Sequence, residues 1–181
     1  GTQLVVRYDA ENSDGEAVFT EYIGALLRRV RCTDTGTGAE NLPRTPAPPK
    51  DAVPIWECSI PIDPLAAHVY DGCTNMYFPI HTSVAFARSV GLQGIILQGT
   101  ATLSFAAREI VDREANRDPS RLQQLSCQFT GMVTPGTTIT VRLVHREKNG
   151  ETTDLFFDVV TPNGKRAISG GYARLRESLL T

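Results

Sequence analysis

Apolar residues change their spacing along this chain, and each change predicts an element. From Pro54 to Ile62 they alternate, with Trp56, Cys58, Ile60 and Ile62 on one face, the period of a strand. Asp63-Pro64 then reads as an N-cap followed by a first helical proline, predicting a short helix over Leu65 to Tyr70. Thr82 or Ser83 can cap a second short helix running to about Ser89 and ending at Gly91. Between Thr100 and Glu114 the spacing is helical. Leu103, Ala107, Ile110 and Val111 form the stripe, and Phe105 and Ala106 widen it, so this long helix is expected to be surrounded by protein.

After Pro119 the period returns to two. Leu125, Cys127 and Phe129 share one face, as do Ile139, Val141 and Leu143, and then Leu155, Phe157 and Val159. Pro135-Gly136, Asn149-Gly150 and Asn163-Gly164 separate these runs, and the Asn-Gly pairs signal hairpins. A last strand is expected from about Arg166 to Arg176, with Gly170-Gly171 as a bulge or bend. One strand, short helices, a long central helix and a four-strand meander describe an α+β domain over residues 53–181. Residues 33–52 hold Thr-Asp-Thr-Gly-Thr-Gly and four prolines, which reads as a linker. Residues 1–32 read as a β-hairpin: Leu4-Val5-Val6, a turn at Asn12-Ser13-Asp14-Gly15, and a strand ending near Arg28.

Composition narrows the classes of function. The 181 residues are 41% hydrophobic, ample for a core, and the formal net charge of −2 offers no electrostatic basis for nucleic acid or an anionic membrane. No apolar run approaches the roughly 20 residues of a membrane span. The N-terminus does not read as a signal peptide, and Ser178-Leu179-Leu180-Thr181 is not a peroxisomal address, so a cytoplasmic location is expected. Cys32, Cys58, Cys73 and Cys127 show no C-x-x-C pair, so free thiols in a reducing compartment are expected. His68, His81 and His145 lack the spacing of a metal site, and no metal or cofactor is called for.

The segment richest in chemistry is Phe78-Pro79-Ile80-His81-Thr82, followed by Phe86-Ala87, Gly91 and then Gln98-Gly99-Thr100 at the start of the long helix. It resembles the signature of MaoC-like dehydratases and (R)-specific enoyl-CoA hydratases, in which Asp-x-Asn-Pro-Ile-His precedes a short helix and a His-Gly that opens the hot-dog helix. Pro79, Ile80, His81 and Gly99 match. Met76 stands in place of the Asp, Phe78 of the Asn and Gln98 of the second His. The resemblance covers most of residues 53–181 and implies a hot-dog fold, an antiparallel sheet wrapped around the long helix. It also implies water addition or removal at an acyl thioester of coenzyme A or acyl carrier protein. Pairing follows as well, as a homodimer or with a second hot-dog chain. On this reading residues 1–32 are either the final hairpin of a preceding hot dog or an unrelated hairpin.

The chemistry requires exchange of an α-proton, stabilisation of an enolate-like oxygen and activation of water. His81 is the one side chain in the motif that titrates near neutrality. The resemblance implies that the Gly99 backbone N–H holds the thioester carbonyl, where a helix N-terminus favours negative charge. Met76 cannot take a proton, so His81 acts alone, or Asn75 or Tyr77 orients the water, or Asp71 reaches in. Met76, Phe78, Ile96, Gln98 and Thr100 are the expected substrate-binding positions. The competing reading is a non-catalytic hot-dog subunit that binds acyl thioesters or completes a partner's site; another hot-dog reaction, as thioesterase, isomerase or cyclase, also stays open.

Overall fold

The structure, a computed structural model, describes residues 1–50 and 52–177. Asp51, in the predicted linker, and the C-terminal Ser178–Thr181 lie outside them. The chain divides into two compact units between Arg44 and Thr45, inside the proline-rich stretch.

The first unit is a hairpin of β1 (Thr2–Glu11) and β2 (Ala17–Leu27), antiparallel with Thr2 opposite Leu27. Its turn is organised by Asn12, whose side-chain oxygen accepts the N–H groups of Asp14 and Glu16 at 3.0 and 2.9 Å. Gly15 supplies the positive φ of 80° that closes it. Residues 33–44 contain one turn of 3₁₀ helix, Ala39–Asn41.

In the second unit β3 (Trp56–Pro61) is followed by α1 (Ala66–Thr74), α2 (Val84–Ser89), α3 (Gly99–Glu114), β4 (Leu122–Phe129), β5 (Thr138–Asn149), β6 (Thr152–Val160) and β7 (Arg166–Arg176). All pairings are antiparallel, in the order β3-β5-β6-β7-β4. The expected four-strand meander is therefore corrected: only β5, β6 and β7 are consecutive neighbours. β4 joins beyond β7, because residues 130–137 carry the chain past the start of α3, where the Leu97 N–H donates to the Val133 carbonyl at 2.8 Å. The bulge expected at Gly170-Gly171 is present. Gly171 faces Phe157, Ile168 faces Val159, and Gly170 has φ 55°.

The predicted faces form the core. Ile139, Val141, Leu143, Leu155, Phe157 and Val159 are buried against Ala101, Ala106 and Ile110 of α3. Each such large aliphatic or aromatic side chain contributes about 1.5–3 kcal/mol of burial. α3 begins within one residue of its expected start. Phe129, expected on the apolar face of its strand, instead lies half-exposed at the end of β4.

α1 departs from expectation at both ends. Asp63 makes an Asx turn, accepting the Leu65 N–H at 2.7 Å, and the helix starts only at Ala66. It then runs beyond Tyr70 to Thr74, ended by Asn75 in the left-handed region at φ 58°, whose N–H donates to the Asp71 carbonyl at 2.9 Å. This extension carries Asp71 into the helix and turns its side chain inward.

Candidate active site

Three pieces of chain meet at the start of α3. Pro79–His81 forms a 3₁₀ turn favoured by the fixed φ of Pro79, and Ser83 caps α2 by accepting the Phe86 N–H at 3.2 Å. The incoming loop is tied to this turn: the Ile96 N–H donates to the Ile80 carbonyl at 3.2 Å. The ring of His81 completes the tie, its Nδ1 lying 2.7 Å from the Ile96 carbonyl oxygen. A carbonyl only accepts, so Nδ1 carries the proton, and in the neutral ring Nε2 keeps its lone pair. His81 is half-buried, with Phe78 edge-on at a centroid distance of 6.2 Å and Phe86 in turn edge-on to Phe78 at 6.3 Å.

Two residues beyond Ile96, Gln98 is the residue preceding the first turn of α3, yet its side chain makes no capping bond there. It turns instead to α1, donating from Nε2 to the Ala67 carbonyl at 2.9 Å and to the Asp71 carboxylate. The Gly99 N–H, at the first helical position, has no intrahelical acceptor, and it stands at the positive end of the helix dipole. Gly99 is also where the backbone is crowded from outside. A Cβ there would lie 2.9 Å from the ring of Phe129. Phe129, not among the predicted site residues, thus lies over Gly99; it comes from a strand distant in sequence, and no local pattern marks it.

The remaining predicted positions divide clearly. His81, Ile96, Gln98 and Gly99 are linked through one loop. Thr100 follows Gly99 in the first turn of α3 and is exposed. Asn75 serves as the α1 cap and is exposed; Met76 and Tyr77 are exposed as well, at 56% and 69%. No hydrogen bond joins Asn75 or Tyr77 to His81 among the described residues. His68 contacts the Thr82 carbonyl at 3.3 Å, and His145 stacks on Phe156 at 5.7 Å, both structural roles. Among the described residues no cluster of His, Cys, Asp or Glu is placed to hold a metal ion.

A long helix packed against an antiparallel sheet defines a hot-dog domain, and here the loop that leads into the helix's glycine N-terminus also anchors a histidine. The chain belongs to the family described as "MaoC like domain", whose model matches residues 47–161. It is similar to the peroxisomal multifunctional enzyme type 2 of Drosophila melanogaster, 31% identical over 137 residues, covering 76% of this chain and 22% of that protein. It is also similar to the probable enoyl-CoA hydratase 2 of Dictyostelium discoideum, 26% identical over 164 residues, 91% of this chain and 54% of the other. The fold matches that of a MaoC-like dehydratase from Phytophthora capsici with a TM-score of 0.84 and 23% identity, over 98% of this chain and 58% of that one. The chain thus spans about half or less of the length of these relatives. No helix among the described residues is long and apolar enough to cross a membrane.

Proposed function

We propose that this chain is a hydratase or dehydratase that adds or removes water across the 2,3-bond of an acyl thioester. The observation that carries the reading is the anchoring of His81. Its Nδ1 is fixed on the Ile96 carbonyl, so Nε2 is the free nitrogen, and the same loop delivers the unpaired Gly99 N–H. In this reading the Gly99 amide holds the thioester oxygen as it gains enolate charge, and His81 gives or takes the proton at C2. The half-exposed rings of Phe78, Phe86 and Phe129 offer an apolar approach suited to an acyl chain. Relatives named as enoyl-CoA hydratases support the same reaction class.

Pairing with a second hot-dog chain, identical or different, is part of the reading. β3 and β4 are the outer strands of the sheet, and an unpaired edge is a ready template for association. A reducing, cytoplasmic setting accords with four cysteines that all carry free thiols.

The test follows the loss of enoyl absorbance on incubation with crotonyl-CoA and longer trans-2-enoyl thioesters. Turnover is expected, falling about 10²–10⁴-fold in His81→Ala. Turnover no greater than that of a folded His81→Ala variant would point instead to a non-catalytic acyl-binding subunit, and release of free thiol would point to hydrolysis.

A further inference from the structure

Among the described residues, the buried side-chain polar atoms without a hydrogen-bond partner are Asp71 Oδ2 and Gln98 Oε1. They belong to one pair, since Gln98 Nε2 donates to Asp71 Oδ1. Asp71 is 1% exposed and Gln98 4%. A carboxylate held so far from solvent by a single amide is costly, by several kcal/mol before compensation. Native structures rarely leave such oxygens unpaired without a functional reason. Nothing in the packing needs a charge here: Ala67 and Leu97, which flank the pair, are apolar and buried. With Asp71 ionised both orphan atoms are acceptors, and a single donor with two hydrogens would satisfy them together. Water is the simplest such group, and held by both hydrogens it keeps its oxygen lone pairs free.

Resting on the hydratase reading above, we infer that Asp71 and Gln98 hold the water that adds to the enoyl thioester, Asp71 supplying the base that position 76 lacks. The pair is joined directly to the residue before Gly99, and His81 is anchored two residues earlier at Ile96. Gln98 therefore belongs to the loop that leads into the thioester-holding amide, and Asp71 is held against it from α1. The water oxygen bonds to C3 while one of its protons passes to the Asp71 carboxylate. The C2–C3 π pair moves onto the thioester as an enolate at the Gly99 N–H, and His81, which enters the step as the imidazolium with a proton on Nε2, delivers that proton to C2. The proton then passes from Asp71 back to His81, restoring both groups. Burial suits this role, because water kept apart from bulk solvent is activated in a fixed orientation.

The test compares the full chain with Asp71→Asn, which keeps size and shape. Hydration of crotonyl-CoA is measured as kcat and KM separately, alongside binding of unreactive butyryl-CoA and the thermal midpoint. Expected are a kcat lower by about 10²–10³-fold, KM and butyryl-CoA affinity within about threefold, and a midpoint unchanged or raised. Turnover by the wild type and by Asp71→Asn at similar kcat would overturn the inference and leave the hydratase reading intact. No turnover by the wild type would remove that reading and the inference with it. If the variant does not fold, a high-resolution crystal structure of the wild type decides. An ordered water within about 3.2 Å of both Asp71 Oδ2 and Gln98 Oε1 supports the assignment. Direct pairing of these atoms with protein donors overturns it.

Discussion

Replacing Gly99 by alanine should separate crowding from chemistry at the start of α3. The added methyl would lie 2.9 Å from two ring carbons of Phe129 and 3.2 Å from a third, against an ordinary carbon contact of about 3.5–4.0 Å. The ring is 52% exposed, so it can swing away at a cost of about 0.5–1.5 kcal/mol for a strained rotamer. Alanine recovers up to about 1 kcal/mol of helix propensity over glycine, leaving a net change in stability within about 1 kcal/mol. Activity should respond much more strongly. A methyl and a displaced ring beside the Gly99 N–H obstruct the thioester oxygen, and loss of one such donor is worth about 2.7–4 kcal/mol, or 10²–10³-fold in kcat. The assay is a double-mutant cycle with Phe129→Ala, reading urea unfolding and enoyl-CoA hydration together. In the Phe129→Ala background the steric part of the Gly99→Ala penalty should vanish. Hydration by Gly99→Ala within about threefold of the wild type would show that no ligand approaches this amide. Destabilisation above about 3 kcal/mol, regardless of Phe129, would show that backbone rather than the ring limits the space.

Two further outcomes follow from the sheet. The Tyr172 hydroxyl donates to Asp154 at 2.8 Å, and burial, reinforced by that carboxylate, pushes its ionisation from 10 up to about 12. Because the folded value is raised, the stability held by neutral Tyr172 is complete below pH 10 and lost as pH rises through about 12. Urea midpoints should therefore fall across that window, with a shallower fall in Tyr172→Phe; an identical fall in the variant would assign the effect elsewhere. Sedimentation should give twice the mass of the chain, or a complex when a second hot-dog chain is supplied, whereas a compact monomer under both conditions would remove the pairing reading.

Much of the fold was legible because period carries direction. Alternation in β5 and β6 placed Ile139, Val141, Leu143, Leu155, Phe157 and Val159 on the buried face, and helical spacing located α3 almost to the residue. Asn-Gly pairs marked the turns, where Gly150 and Gly164 adopt the positive φ that such turns demand. Strand order was not legible. Sequence neighbours pair by default, and only the passage of residues 130–137 beside α3 sends β4 to the far side of β7.

The motif itself named His81, Gln98 and Gly99, because residue type and spacing along one loop carry that information. Which nitrogen of His81 is free was decided by a carbonyl fifteen residues away, and what covers Gly99 by a ring thirty residues on. Asp71 shows the same division most sharply. In the sequence it is one of several groups that could stand in for the missing acid, ten residues before His81 and outside the motif. Only the extra turn of α1 and the packing of that helix on the Gln98 loop bury its carboxylate and bring it to the site. Local sequence sets periodicity, turns and candidate chemistry, since those depend on near neighbours. Contacts between distant segments, and the burial that gives a polar group its energetic weight, exist only once the sheet has closed around the helix.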